Sequence, residues 1–128
     1  MSLPHAPLAI GQIAVHVEDL PRAVGFYRDV LGLPLLFEAP PSLAFFDCGG
    51  VRLMLSGASE PGFDHPASIL YYRVADIVAA HAALRERGAT FVDEPHVVHR
   101  TERYALWMTF LRDTEGNTLA LMEERTEA

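Results

Sequence analysis

Arg52 and Arg73 are the first side chains to weigh for chemistry, because every one of the ten basic residues in this chain is arginine. Without lysine, Schiff-base chemistry, covalent pyridoxal attachment and a phosphate-loop lysine are excluded by inventory. A guanidinium presents paired donors in a plane and can fork onto a carboxylate or phosphate; otherwise it pairs with an internal acid or reaches solvent over apolar surface. His16 is a candidate general base, or a displaced metal ligand, with an unperturbed pKa of about 6.5. Gln12 and Tyr71 offer hydrogen bonds to a ligand. His96 and His99, beside Glu94, have a spacing that suggests zinc. On a regular strand, however, positions three apart point to opposite faces, and the helical His-Glu-x-x-His pattern is absent. That spacing therefore does not by itself make a zinc site of His96 and His99, which with Gln12 and His16 stay residual metal candidates, and His96 is read as lining a ligand-gating loop.

Trp107, Met108 and Phe110 lie on a strand whose parity no motif fixes, so a ligand-facing aromatic wall and plain core both stay open. Cys48 is the single cysteine, which rules out an intramolecular disulfide, and it reads as a passive thiol.

Composition narrows the partners. With 17 acidic residues the formal net charge is -7, a field that repels nucleic acid and anionic membrane. No apolar run approaches the ~20 residues of a membrane-spanning helix, and the start lacks a signal-peptide pattern. The expectation is a cytoplasmic protein with a small-molecule partner, no nucleic acid and no membrane. A chain of 128 residues fits one domain with a core that needs no disulfide or structural metal.

The elements that must position these side chains are written twice. Residues 10–17 read as a half-buried strand. Asp19 follows as an N-cap, then an apolar 3.6-residue pattern runs to a stop at Gly32. Strands follow at 34–38, 43–47 and 51–56, divided by Pro40-Pro41 and Gly49-Gly50. The second half repeats the order: a strand at 68–74, an N-cap at Asp76, a helix to Gly88, then strands at 91–98, 104–112 and 117–123, the last two joined by a turn over 113–117. Aligning Asp19 with Asp76 gives an offset of 57; aligning the turns at Asp47 and Asp113 gives 66. About nine extra residues are thus expected in the second copy, read as a longer loop over 95–103. Residues 1–9 read as a disordered lead-in and 57–67 as a linker. The fold class is α+β, built pseudo-symmetrically.

The string AVHVEDLPRAVGFYRDVLGLPLL, followed by RDTEGNTLALME, resembles the vicinal oxygen chelate superfamily, which includes glyoxalases, bleomycin-resistance proteins and extradiol dioxygenases. The likeness covers residues 10–124 and is specific for fold. It implies two tandem βαβββ modules, 10–56 and 68–124, forming a cup-shaped mixed sheet with the ligand inside, often completed by pairing of two chains. The same likeness turns Gln12, Ala14 and His16 toward the cup with Arg52, Met54 and Ser56, Ile69, Tyr71 and Arg73, and Thr118, Ala120 and Met122. It also places the metal ligands of metal-dependent members at positions here occupied by Gln12, Met54, Ile69 and Ala120, of which only Gln12 matches. Ligand contacts are accordingly expected from Gln12, Arg52, Met54, Tyr71, Arg73, His96 and Trp107, with His16 the catalytic candidate.

The function expected is a homodimeric small-molecule-binding protein that lacks the usual metal ligands and needs no cofactor. The alternative is a lyase, isomerase or dioxygenase acting on vicinal oxygens, with a relocated divalent metal or none, using His16 as base and Arg52 or Arg73 as electrophile. A third possibility is a structural dimer whose cup has collapsed onto Met54, Met122 and Trp107.

Overall fold

The computed structural model describes residues 4–5, 9–57, 66 and 68–126. Its first half runs β1 (Gln12–His16), α1 (Leu20–Gly25) with a π-helical turn (Phe26–Val30), β2 (Leu35–Ala39), β3 (Leu43–Cys48) and β4 (Val51–Ser56). The second runs β5 (Leu70–Arg73), α2 (Ile77–Glu86), β6 (Thr90–Phe91), β7 (His96–Arg100), β8 (Tyr104–Arg112) and β9 (Thr118–Thr126). Each half makes its own sheet, ordered β1-β4-β3-β2 and β5-β9-β8-β6, with β7 also paired to β8. The first strand of each half runs parallel to the last, and the remaining pairs are antiparallel. This is the α+β architecture expected.

Local chemistry explains the boundaries. Asp19 Oδ1 accepts from Arg22 N and Asp76 Oδ1 from Ala79 N, satisfying helix-start donors that would otherwise lack partners. Gly32 and Gly88 stop the helices with φ of 87° and 99°, left-handed values that a side chain would strain.

Across each sheet the repeat can be read in register. The row Ala14, Met54, Phe45 corresponds to Tyr71, Ala120, Phe110. Ala14 and Tyr71 are 57 positions apart, Phe45 and Phe110 are 65, and Met54 and Ala120 are 66. Eight of the nine extra residues therefore lie before β8, and one lies in the turn after it. The single strand expected at 91–98 is instead two, β6 and β7. Asp93 is the reason: its Oδ1 accepts from Thr109 Oγ1 at 2.9 Å and Phe110 N at 2.8 Å, pulling the chain off the ladder, and Pro95 has no N–H to restore it. What was read as a loop over 95–103 is largely a strand, and its turn is closed by Thr101 Oγ1 accepting from Arg103 N and Tyr104 N. The lead-in (1–9) and the linker (57–67) lie mostly outside the described residues.

One core joins the halves. Val15, Val17, Val24, Tyr27, Phe46 and Leu55 pack with Ile77, Leu84, Leu111 and Leu121, all at 5% exposure or less. Fully burying a side chain of this size contributes about 1.5–3 kcal/mol. Polar links cross the same seam: Tyr27 donates its hydroxyl to Asp113 Oδ2 at 2.8 Å, and Glu115 accepts from the backbone N–H of Glu18 and Asp19. Burial and the neighbouring Asp113 carboxylate push the Tyr27 phenol well above its ordinary pKa, so it stays a donor. No helix among the described residues is long and apolar enough to cross a membrane.

Candidate functional site

With the core taking one face of each sheet, the other face is left open, and strand alternation decides what it presents. In the first sheet Gln12, Ala14 and His16 lie beside Arg52, Met54 and Ser56, and β3 and β2 add Phe45 and Phe37. Arg52 Nε donates to Gln12 Oε1 at 2.9 Å, while Gln12 Nε2 donates weakly to Met54 Sδ at 3.7 Å. The Arg52 guanidinium carbon sits 5.4 Å from the centroid of Phe45, and Phe45 stacks on Phe37 at 4.5 Å and 26°. His16, next to Ser56 in register, is half-buried, and its Nδ1 is buried without a hydrogen-bond partner among the described residues.

In the second sheet Tyr71 and Phe110 flank Ala120, and Arg73 and Met108 flank Met122. The Tyr71 and Phe110 rings meet edge-to-face at 6.1 Å, and Ala120 beneath them has no exposed surface. Ile69, Tyr71 and Arg73 are exposed. His96 and His99 stand opposite Met108 and Leu106, which share a face. A bulge between Val97 and His99 suspends the alternation of a regular strand, so both histidines rise on the inner side. His96 Nδ1 lies 2.8 Å from the Glu94 carbonyl oxygen and 3.9 Å from the Asp93 carboxylate.

Trp107 is placed on the other side. It faces the helices opposite Glu123, with the Arg125 guanidinium 4.7 Å above its ring. Glu123 is fixed there because it accepts from Ile77 N, at the start of α2, and from Arg125; these bonds hold its carboxyl below the usual range, Arg125 contributing most. Neither Trp107 as a ligand contact nor a cup filled by Trp107 agrees with this parity.

The sequence reading missed Phe37 and Phe45. The run Leu43–Asp47 is apolar at nearly every position, and both Phe45 and Phe46 are buried, so alternation gives no parity there. Register against Met54 was the signal that could have assigned Phe45.

The residues at the positions implied for a metal do not suit a hard divalent ion. Gln12 supplies one neutral amide and Met54 a soft thioether, and Ile69 and Ala120 supply no donor. Among the described residues no group of three or more His, Cys, Asp and Glu side chains is arranged to hold an ion.

A separate cavity of about 410 Å³ lies on the core side, between the halves, lined by Ile13, Leu53, Leu70, Tyr72, Leu84 and Leu121 with Cys48. Burial, then the nearby Asp47 charge, pushes the Cys48 thiol upward, so it is a protonated and poor nucleophile at neutral pH. Tyr71 and Arg73 of β5 also line it, whereas Gln12, His16 and Arg52 do not.

Solved structures of the same shape are numerous. A lactoylglutathione lyase from Agrobacterium tumefaciens is 26% identical, with TM-score 0.69, covering 92% of this chain and 95% of that one. TnmS3, an antibiotic binding protein from Streptomyces sp. CB03234, is 25% identical, with TM-score 0.73, covering 93% and 98%. The uncharacterized protein YraH of Bacillus subtilis (strain 168) is 25% identical over 123 residues, 86% of this chain and 94% of that protein. The family model that matches residues 9–121 joins these likenesses to the repeated sheets, and the chain belongs to the Glyoxalase/Bleomycin resistance protein/Dioxygenase superfamily.

Proposed function

We propose that this protein binds a small organic molecule on the inner faces of its two sheets, that a second copy of the chain completes the cup, and that no metal ion takes part. One observation carries the reading: side chains able to hold a ligand stand uncovered on faces the core does not use. Gln12, Arg52 and Arg73 are exposed, and Phe37 and Tyr71 keep 48% of their surface. Aromatic surface left bare beside convergent polar groups is characteristic of recognition surfaces. Among the described residues β1 and β5 are also the outer strands of their sheets, each with one backbone edge that no described strand covers and that another chain can meet. The likeness to an antibiotic-binding protein is in keeping with a binder. The net charge of -7 argues against nucleic acid as partner, and a cytoplasmic location accords with the single cysteine.

The test is a melting screen on protein stripped of metal and dialysed free of chelator, using neutral, anionic and cationic aromatic compounds. A ligand that binds only the folded state raises the melting temperature. At least one class should do so, and light scattering should give twice the 14.1 kDa chain mass. A monomer whose melting moves with no compound, or only after metal is added, would contradict the reading.

A catalytic reading is favoured by Nδ1 of His16, buried and unpartnered among the described residues, and by the likeness to a lactoylglutathione lyase. It requires turnover of a hemithioacetal or related vicinal-oxygen substrate by the stripped protein, abolished in His16→Gln.

A further inference from the structure

The first sheet holds a charge at the place where the superfamily resemblance puts a metal. Gln12 Oε1 is the one oxygen available there for a hard cation, and it accepts from Arg52 Nε at 2.9 Å. The amide nitrogen of Gln12 turns to Met54 Sδ at 3.7 Å, so both ligand positions of this half are engaged with each other and with the guanidinium. Arg52 forms no ion pair among the described residues. Asp47, its register partner on β3, is directed to Gly50 N instead, at 3.2 Å. A guanidinium stays charged at any physiological pH, so this positive charge is permanent.

Geometry limits what that charge can take. With Nε committed to Gln12 and the plane near Phe45, the two terminal nitrogens of Arg52 remain as a parallel pair of donors on an exposed side chain. Such a pair matches the two oxygens of a carboxylate. Beside it the Phe37–Phe45 stack offers a flat apolar surface, with Phe37 half exposed. In the second sheet the corresponding metal position, Ala120, is sealed beneath Tyr71 and Phe110, and the cation on that face is Arg73, two positions along β5 from Tyr71.

We propose that the Arg52 guanidinium, held by Gln12, serves as a built-in cation in place of a metal ion and selects small planar organic carboxylates. The inference rests on the inner faces being the ligand site. The carboxylate is received by the terminal nitrogens, and the ligand's ring lies against Phe37.

Calorimetric titration with 2-naphthoate and its neutral isostere 2-naphthamide tests this. The protein is stripped of metal and dialysed free of chelator, because a chelator is itself a carboxylate. A charge-assisted paired contact implies that 2-naphthoate binds about tenfold or more tighter than the amide, and that Arg52→Gln weakens it about ten- to hundredfold. Arg52→Lys, which keeps the charge and loses the fork, should fall between, and added Mn²⁺ or Zn²⁺ should change nothing. The amide should bind wild type and Arg52→Gln alike, and this exposed substitution should leave the melting temperature nearly unchanged.

Equal affinity for the two probes, undiminished binding of 2-naphthoate by Arg52→Gln, or a requirement for added metal would overturn the inference. Amide binding independent of Arg52, with no preference for the acid, would leave the binding function standing and remove the carboxylate. Failure of both probes would refute the carboxylate class here, while neutral and cationic compounds in the melting screen decide the broader function separately.

Discussion

In the first half of the molecule the row across the inner face is small, medium, large: Ala14, Met54, Phe45. In the second it is Tyr71, Ala120, Phe110, so the bulk has moved to the outer strand and the middle position has been emptied and covered. The neighbouring row differs more. Gln12 and Arg52, bonded to each other, correspond to Ile69 and Thr118, which carry no charge. One scaffold repeated twice thus sets a bonded Gln12–Arg52 pair on one sheet where the other has Ile69 and Thr118, while each inner face keeps an aromatic pair and an arginine, Arg52 on the first and Arg73 on the second. The difference teaches that helix caps, stops and turns specify the frame, while the strand faces are free to diverge.

The turns show a second asymmetry. Asp113 opens the turn between β8 and β9, is buried, and accepts from Tyr27 Oη, Asn117 Nδ2 and the backbone N–H groups of Glu115 and Asn117. Asp47 opens the corresponding turn, and its carboxylate accepts, among the described residues, from Gly50 N alone. The helix residue matching Tyr27 is Leu84, which has no hydroxyl to send across the seam. The residues most telling of the family, Phe26-Tyr27 and the Asp113 turn, therefore act as a latch between the halves and not as chemistry. Removing the latch should separate the two turns clearly: Asp113→Ala should lose about 3 kcal/mol in urea denaturation and Asp47→Ala less than about 1 kcal/mol. Equal losses would dissolve the asymmetry.

The metal-equivalent positions of the second sheet give the next contrast. Ala120→Glu forces a carboxylate under the Tyr71–Phe110 pair and should cost about 2–3 kcal/mol, whereas Ile69→Glu, at a site 47% exposed, should stay within about 0.5 kcal/mol. If Ala120→Glu is instead tolerated and gains affinity for a divalent ion, the second sheet retains more of a metal site than its residues indicate. Tyr27→Phe keeps the ring in the core and loses only the bond to Asp113, an expected cost of about 1–2 kcal/mol.

Acid should act on the second half through Glu123. Because its folded pKa lies below the ordinary 4.5, its contribution is complete above that value and is lost as pH falls through the lowered one. Melting temperatures of wild type and Glu123→Gln should therefore differ at pH 7 and converge toward pH 3; a constant gap would assign the loss to packing on Trp107. The helix caps give the most symmetrical comparison. Asp19→Ala and Asp76→Ala should each cost about 1 kcal/mol, as N-caps do.

How much of this was legible in the sequence follows from which signals are local. Caps, glycine stops and turns depend on neighbouring residues, so α1, α2 and their flanking strands were readable; alternation grouped Gln12 with His16, and the family resemblance, not the residues alone, turned them inward with Arg52 and Tyr71. Trp107, His96 and His99 were not readable, because their faces depend on register against β8 and β9 and on a bulge that the sequence does not mark. The division of 91–98 into two strands depends on Asp93 bonding Thr109 and Phe110, contacts sixteen and seventeen positions away.

The most direct measurement is the ¹⁵N spectrum of the arginine side chains as 2-naphthoate is added to metal-free protein. Expected is a saturable shift of the Arg52 Nε–H signal and of the Gln12 side-chain amide, with the backbone signals of Leu33 and Cys48 at rest. A stationary Arg52 signal, or movement confined to the core-side cavity, which Leu33 lines with Cys48 and Tyr72, would contradict the view that ligand recognition begins at this guanidinium.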